Sequence, residues 1–90
     1  MKVAYPARIV FQKDDNSYLV EFPDLEGCFT EGKTIEGARK NAQEALSEYL
    51  ESMIDRSIKV PFPSKRKGGN VYYIQPDSDI VKKLEEILLD

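Results

Sequence analysis

Cys28 is the one sulfhydryl in this 90-residue chain, and no histidine accompanies it. A thiol becomes a nucleophile when a base or a cationic setting favours its thiolate, and histidine is the usual partner. Without one, Cys28 reads as a small buried hydrophobe on a strand. The same absence removes the commonest general base and any Cys/His set for zinc. Carboxylates are the remaining catalytic currency, and two-metal hydrolysis needs several of them converging on paired ions. Glu21 and Glu31 lie on neighbouring strands, but no third acid is evident on a facing helix.

What these residues can do is bind. Asp14, Asp15, Glu21, Asp24, Glu26 and Glu31 fall on or beside one run of strands, where together they form an acidic patch able to steer and occupy a cationic surface. Singly, each also reads as an ordinary solvated charge. Leu25 and Phe29 lie among these acids as candidate apolar anchors, the usual make-up of an interface hot spot. Lys65, Arg66 and Lys67 form the one basic cluster, with Tyr72 and Tyr73 nearby to stack on bases. Three charges are few for phosphate-driven binding, and a solvated loop explains them as well.

The elements that must position these residues are legible in the periodicity. Tyr5, Ala7, Ile9 and Phe11 alternate with Pro6, Arg8, Val10 and Gln12, giving a strand with one drier face. Asp14-Asp15-Asn16-Ser17 is a hairpin turn, and a return strand spans Tyr18 to Phe22. Pro23 ends its pairing, and a third short strand covers Cys28 to Glu31. Thr34 caps a helix beginning at Ile35, with Glu36 in its first turn. Ala38, Ala42, Ala45, Leu46, Tyr49, Leu50 and Met53 form its apolar stripe, the alanines permitting close approach to a sheet. Arg39, Lys40, Gln43, Ser47, Glu48 and Glu51 fill its wet side.

Pro61-Phe62-Pro63 and the loop Ser64–Gly69 lead to a fourth strand, Val71 to Ile74. A final helix from Asp77 to Leu89 carries Ile80, Val81, Leu84, Ile87 and Leu88 on one stripe. That stripe either closes the second face of the sheet or pairs with a copy of itself. Val71, Tyr73, Ile80, Leu84, Ile87 and Leu88 are the candidate oligomerisation residues, the first two on an edge strand.

Composition narrows the function classes. Ninety residues make one domain, and 41% hydrophobic with 32% charged residues suits a soluble globular chain. The net charge is -3. Through Ser64 there are 11 acids against 8 bases, and from Lys65 onward 5 of each, so the anionic surplus belongs to the front. Such a chain lacks the positive field of a duplex binder. A lone cysteine, no secretory leader and no apolar run of roughly 20 residues point to the cytoplasm, away from membranes.

The passage YLVEFPDLEGCFTEGKTIEGARKNAQEALSEYL resembles the core signature of HicB-like antitoxins. That signature joins an F-P-D-L-x-G-C/A turn to T-x-G-x-T and then to a helix with N-A-x-E-A-L. It is matched here by Phe22, Pro23, Asp24, Leu25, Gly27, Cys28, Thr30, Gly32, Thr34, Ala38, Asn41, Ala42, Glu44, Ala45 and Leu46. The resemblance covers residues 5 to about 64. It implies a partial ribonuclease-H-like βββαβ fold without the nuclease's active site. It also implies a HicA-type partner, a small basic messenger-RNA ribonuclease that cuts with a histidine. Many relatives add a C-terminal DNA-binding segment. Here one short helix follows the last strand, where a ribbon-helix-helix needs two.

The expectation is thus an α+β domain with one helix covering the sheet, residues 1–76 binding toxin and 77–90 forming a C-terminal helix for packing or oligomerisation. It is an antitoxin and a homo-oligomer that occludes the RNA-binding and catalytic surface of its partner, with no cofactor and no catalytic residues. The alternatives are a transcriptional autoregulator on operator DNA and a metal-dependent nuclease.

Overall fold

The computed structural model describes residues 3–88. Strand β1 (Tyr5–Gln12) turns through Lys13–Asn16 into β2 (Ser17–Glu21), and a loop leads to β3 (Phe29–Gly32). Helix α1 (Ile35–Asp55), strand β4 (Val71–Ile74) and helix α2 (Ser78–Leu88) complete the chain. Leu89, expected to end the last helix, lies outside the described residues. The strands form one antiparallel sheet in the order β3-β2-β1-β4. The fold is α+β, as the alternating and helical periods require.

Each element follows from its sequence. At the β1–β2 turn Asn16 takes a left-handed φ of 50°, which its short amide side chain tolerates. Ser17, expected in the turn, instead opens β2 opposite Gln12. Thr34 caps α1 by accepting a hydrogen bond from the Gly37 amide at 3.0 Å. Ala38, Ala42, Leu46 and Leu50 press α1 onto Tyr5, Ala7, Ile9, Val20, Phe22 and Ile74 from the sheet. At the far end of α1, Ser57 adopts φ 56° while the Ile58 amide reaches back to the Met53 carbonyl, a Schellman-type stop.

Side-chain amides of α1 also seal two backbone carbonyls at the sheet's margins. Asn41 donates to the Glu31 carbonyl at 2.8 Å on β3, and Gln43 donates to the Gln75 carbonyl at 3.0 Å just past β4.

Helix α2 does not close the second face of the sheet. It packs against α1, with Ile80 and Leu84 buried in the same core. The Asp77 amide donates to Ser47 Oγ at 2.8 Å, and Lys83 lies 4.0 Å from Glu51. Ser47, expected on the wet side of α1, is therefore buried beneath the start of α2. Ile80 and Leu84, expected as oligomerisation residues, are buried in the chain's own core. The second face of the sheet is left open at its centre, around Arg8, Val10, Leu19 and Glu21, while Pro6 and Ser17 on the same face are buried.

Candidate functional site

That open centre is the candidate site. Alternation along the strands turns Arg8 and Val10 of β1, Leu19 and Glu21 of β2, Phe29 and Glu31 of β3, and Val71 and Tyr73 of β4 away from the helices. Register sets them in rows: Phe29, Glu21, Arg8 and Val71 cross the sheet side by side, and Glu31, Leu19 and Val10 form the next row. Phe29 is 65% exposed, with Val10, Leu19 and Tyr73 also open to solvent. A phenylalanine so exposed on a flat strand is an unpaid apolar surface, the mark of a contact site.

Charge is distributed unevenly over this face. The β2–β3 half carries Glu21 and Glu31, with Ser17 Oγ donating to Glu31 at 3.3 Å. Asp14 and Asp15 at the hairpin tip and Glu26 in the β2–β3 loop are exposed at its ends. On β1, Arg8 pairs with Glu21 at 3.3 Å. The loop bearing Lys65, Arg66 and Lys67 is fixed beside β4, because the Arg66 amide donates to the Tyr73 hydroxyl at 2.8 Å and that hydroxyl donates to the Ser64 carbonyl at 3.3 Å.

Two expected contact residues are placed otherwise. Leu25 is 2% exposed, because the turn in which its amide bonds the Phe22 carbonyl and its carbonyl takes the Cys28 amide folds the side chain into the core. It is no surface anchor. Asp24 is largely enclosed and works structurally: its carboxylate accepts from the Ser64 amide and hydroxyl, both at 2.7 Å, and lies 4.0 Å from Arg66. The tyrosines are likewise committed, since Arg39 stacks over the Tyr72 ring at 5.3 Å on the helix side. Val71 and Tyr73 stand on the open face. Ile87 and Leu88 instead line a groove of about 520 Å³ with Ile54, Ile58, Val60 and Phe62.

Sequence reasoning missed a second acidic surface. Glu44, Glu48 and Glu51 from α1 join Asp77 and Asp79 around a shallow groove where the two helices meet. The spacing of 44, 48 and 51 on one helical face was the available signal. Among the described residues no group of three or more His, Cys, Asp and Glu could hold a metal ion. No helix among them is long and apolar enough to cross a membrane.

Beneath the site, two buried acids tie stability to pH. Burial pushes the Tyr5 hydroxyl up to about 12, the Asp24 carboxylate adding in the same direction, while Tyr5 donates to the Pro61 carbonyl at 2.7 Å. Burial alone pushes the Cys28 thiol up to about 11. Both groups ionise earlier in the unfolded chain, from ordinary values of 9.0 and 10.0, so stability is full below pH 9 and falls as pH rises towards 12. The loss is about 1.4 kcal/mol for each pH unit over which one group is charged only when unfolded. Urea midpoints measured at pH 8 and above 10 should show this fall, and Cys28→Ala should flatten its lower part.

The sequence matches the family described as HicB_like antitoxin of bacterial toxin-antitoxin system over residues 5–76. A UPF0150 protein of Thermoplasma acidophilum is 42% identical over 53 residues, 59% of this chain and 77% of the relative. An uncharacterised 14.9 kDa protein of Haemophilus phage HP1 is 39% identical over 73 residues, and there the match spans about half (51%) of the relative's length. Among solved structures, the N-terminal domain of Burkholderia pseudomallei antitoxin HicB superposes with a TM-score of 0.68 at 25% identity, covering 82% of this chain and 98% of that one. A HicA3 and HicB3 toxin–antitoxin complex gives 0.59 at 25% identity, with the same coverages. Signature, sheet order and covering helix all lead to one assignment: the chain belongs to the HicB-like antitoxins of bacterial toxin–antitoxin systems.

Proposed function

We propose that this antitoxin neutralises a small basic HicA-type messenger-RNA ribonuclease by laying the β2–β3 half of its open sheet face over the enzyme's RNA-binding and catalytic surface. The observation that carries this reading is Phe29, exposed between Glu21 and the acid of the next row, Glu31. An apolar anchor ringed by acids suits a surface evolved to grip phosphates, because the carboxylates occupy the cationic positions while the ring excludes water. Asp14, Asp15 and Glu26 extend the negative rim and steer the approach. The chain itself contributes no catalytic group, and its place is the cytoplasm, where messenger RNA is cut.

The test is co-expression with a neighbouring short, basic, histidine-containing reading frame, followed by titration of the purified partners. A stable complex and loss of ribonuclease activity are expected. Phe29→Asp should weaken binding roughly 30-fold or more, the scale of a central hot-spot loss. Binding unchanged by that substitution would move the contact off this face.

A further inference from the structure

The acidic half of the open face has a use in the reading above; the other half, with Arg8, Val71 and the Lys65–Lys67 loop, does not. A cationic enzyme has no reason to contact it. We infer that the open face is self-complementary and that toxin-free antitoxin pairs face to face with a second copy of itself, hiding the toxin-binding residues.

The register carries the argument. A two-fold axis lying in the interface, parallel to the strands and between β1 and β2, reverses the order β3-β2-β1-β4 without moving a residue out of its row. Strand β1 then lies over β2 of the other copy, and β4 over β3. In the first row Arg8 meets the second copy's Glu21, and Phe29 meets its Val71. In the next row Val10 meets Leu19. Arg8 and Glu21, which pair within each chain, thus meet the opposite charge of the second copy as well, and Phe29, Val10 and Leu19 meet apolar side chains. Sheets packed at about 10 Å interdigitate such rows. Neither a polyanion nor a uniformly basic protein satisfies both halves at once.

The consequence for regulation rests on the proposed toxin contact. Glu21, Phe29 and Glu31 cannot serve a second copy and a toxin together, so toxin binding draws on monomer and splits the pair.

Sedimentation equilibrium of the full chain from the low micromolar to the millimolar range tests the pairing. The mean mass should climb from 10.3 kDa towards twice that value. Arg8→Glu puts acids at both central positions and Glu21→Arg puts bases at both, so each variant alone should self-associate at least roughly ten-fold more weakly. Mixed in equal amounts, the two variants should regain a two-chain species, because their opposite charges now meet across the axis. Circular dichroism confirms that each variant is folded. A wild-type mass fixed at one chain throughout, or variants that pair as well alone as when mixed, would overturn the inference. Neither result touches toxin neutralisation, which is read separately by co-expression; conversely, a pairing chain that captures no toxin would leave this inference standing and remove the regulatory role.

Discussion

Gly32→Ala is expected to cost the chain about 3 kcal/mol of stability, the upper end of the range for overpacking a tight core. A β-carbon at this position would stand 2.5 Å from the Ala38 nitrogen, 2.7 Å from its α-carbon and 2.9 Å from the Gly37 carbonyl carbon. All three are main-chain atoms in the first turn of α1, so no side chain can rotate to make room. Relief requires the helix to lift from β3, which would pull Ala38 and Ala42 out of the core and strain the Asn41 contact with Glu31. Backbone conformation is not the obstacle, since Gly32 is not among the glycines with positive φ. Urea denaturation gives the number directly. A loss below about 0.5 kcal/mol, the scale of a neutral surface change, would mean that α1 does not sit against β3 as described.

Leu84→Ala carries the second large effect. Leu84 is fully buried where α2 meets α1, and truncating a buried leucine typically removes 2–5 kcal/mol, so about 3 kcal/mol is expected. The measurement belongs at protein concentrations too low for self-association. If the helix were a free arm that ordered only on a second copy, stability there would be unchanged. A matched pair of melts, dilute and concentrated, therefore distinguishes a helix of the core from a helix of an interface. The core arrangement requires the same loss at both concentrations.

The strands, the capped first helix and the element order were all legible because each rests on local chemistry. Alternation at Tyr5–Phe11, Thr34 before an alanine-lined stripe and Pro23 after a strand depend only on neighbours in sequence. The destination of α2 was not legible, for a physical reason. Ile80, Leu84 and Ile87 form the same stripe whether the partner is a sheet, another helix or a copy, and nothing in the periodicity distinguishes them. What decides is the pairing of Asp77 with Ser47, 30 residues apart.

Acids were misjudged in the same way. Asp24 and Glu21 look alike as rim charges, yet one binds a backbone amide 40 residues away at Ser64 while the other is exposed on the open face beside Arg8. Leu25 and Phe29 were exchangeable as anchors until the β2–β3 turn sent one inward and left the other out. The open face was not legible either, since it depends on α2 packing against α1 and not on the sheet. Nor were its rows, since they exist only once β1 and β2 have fixed their register.

The amides of Asn41 and Gln43 bear on how such a chain behaves in a crowded cell. A bare strand margin is a template to which any passing polypeptide can add itself, and repeated addition is how ordered aggregates grow. Here the covering helix reaches down both flanks and occupies an acceptor on each. Growth by strand recruitment meets a blocked carbonyl at either rim, whereas the broad face stays open.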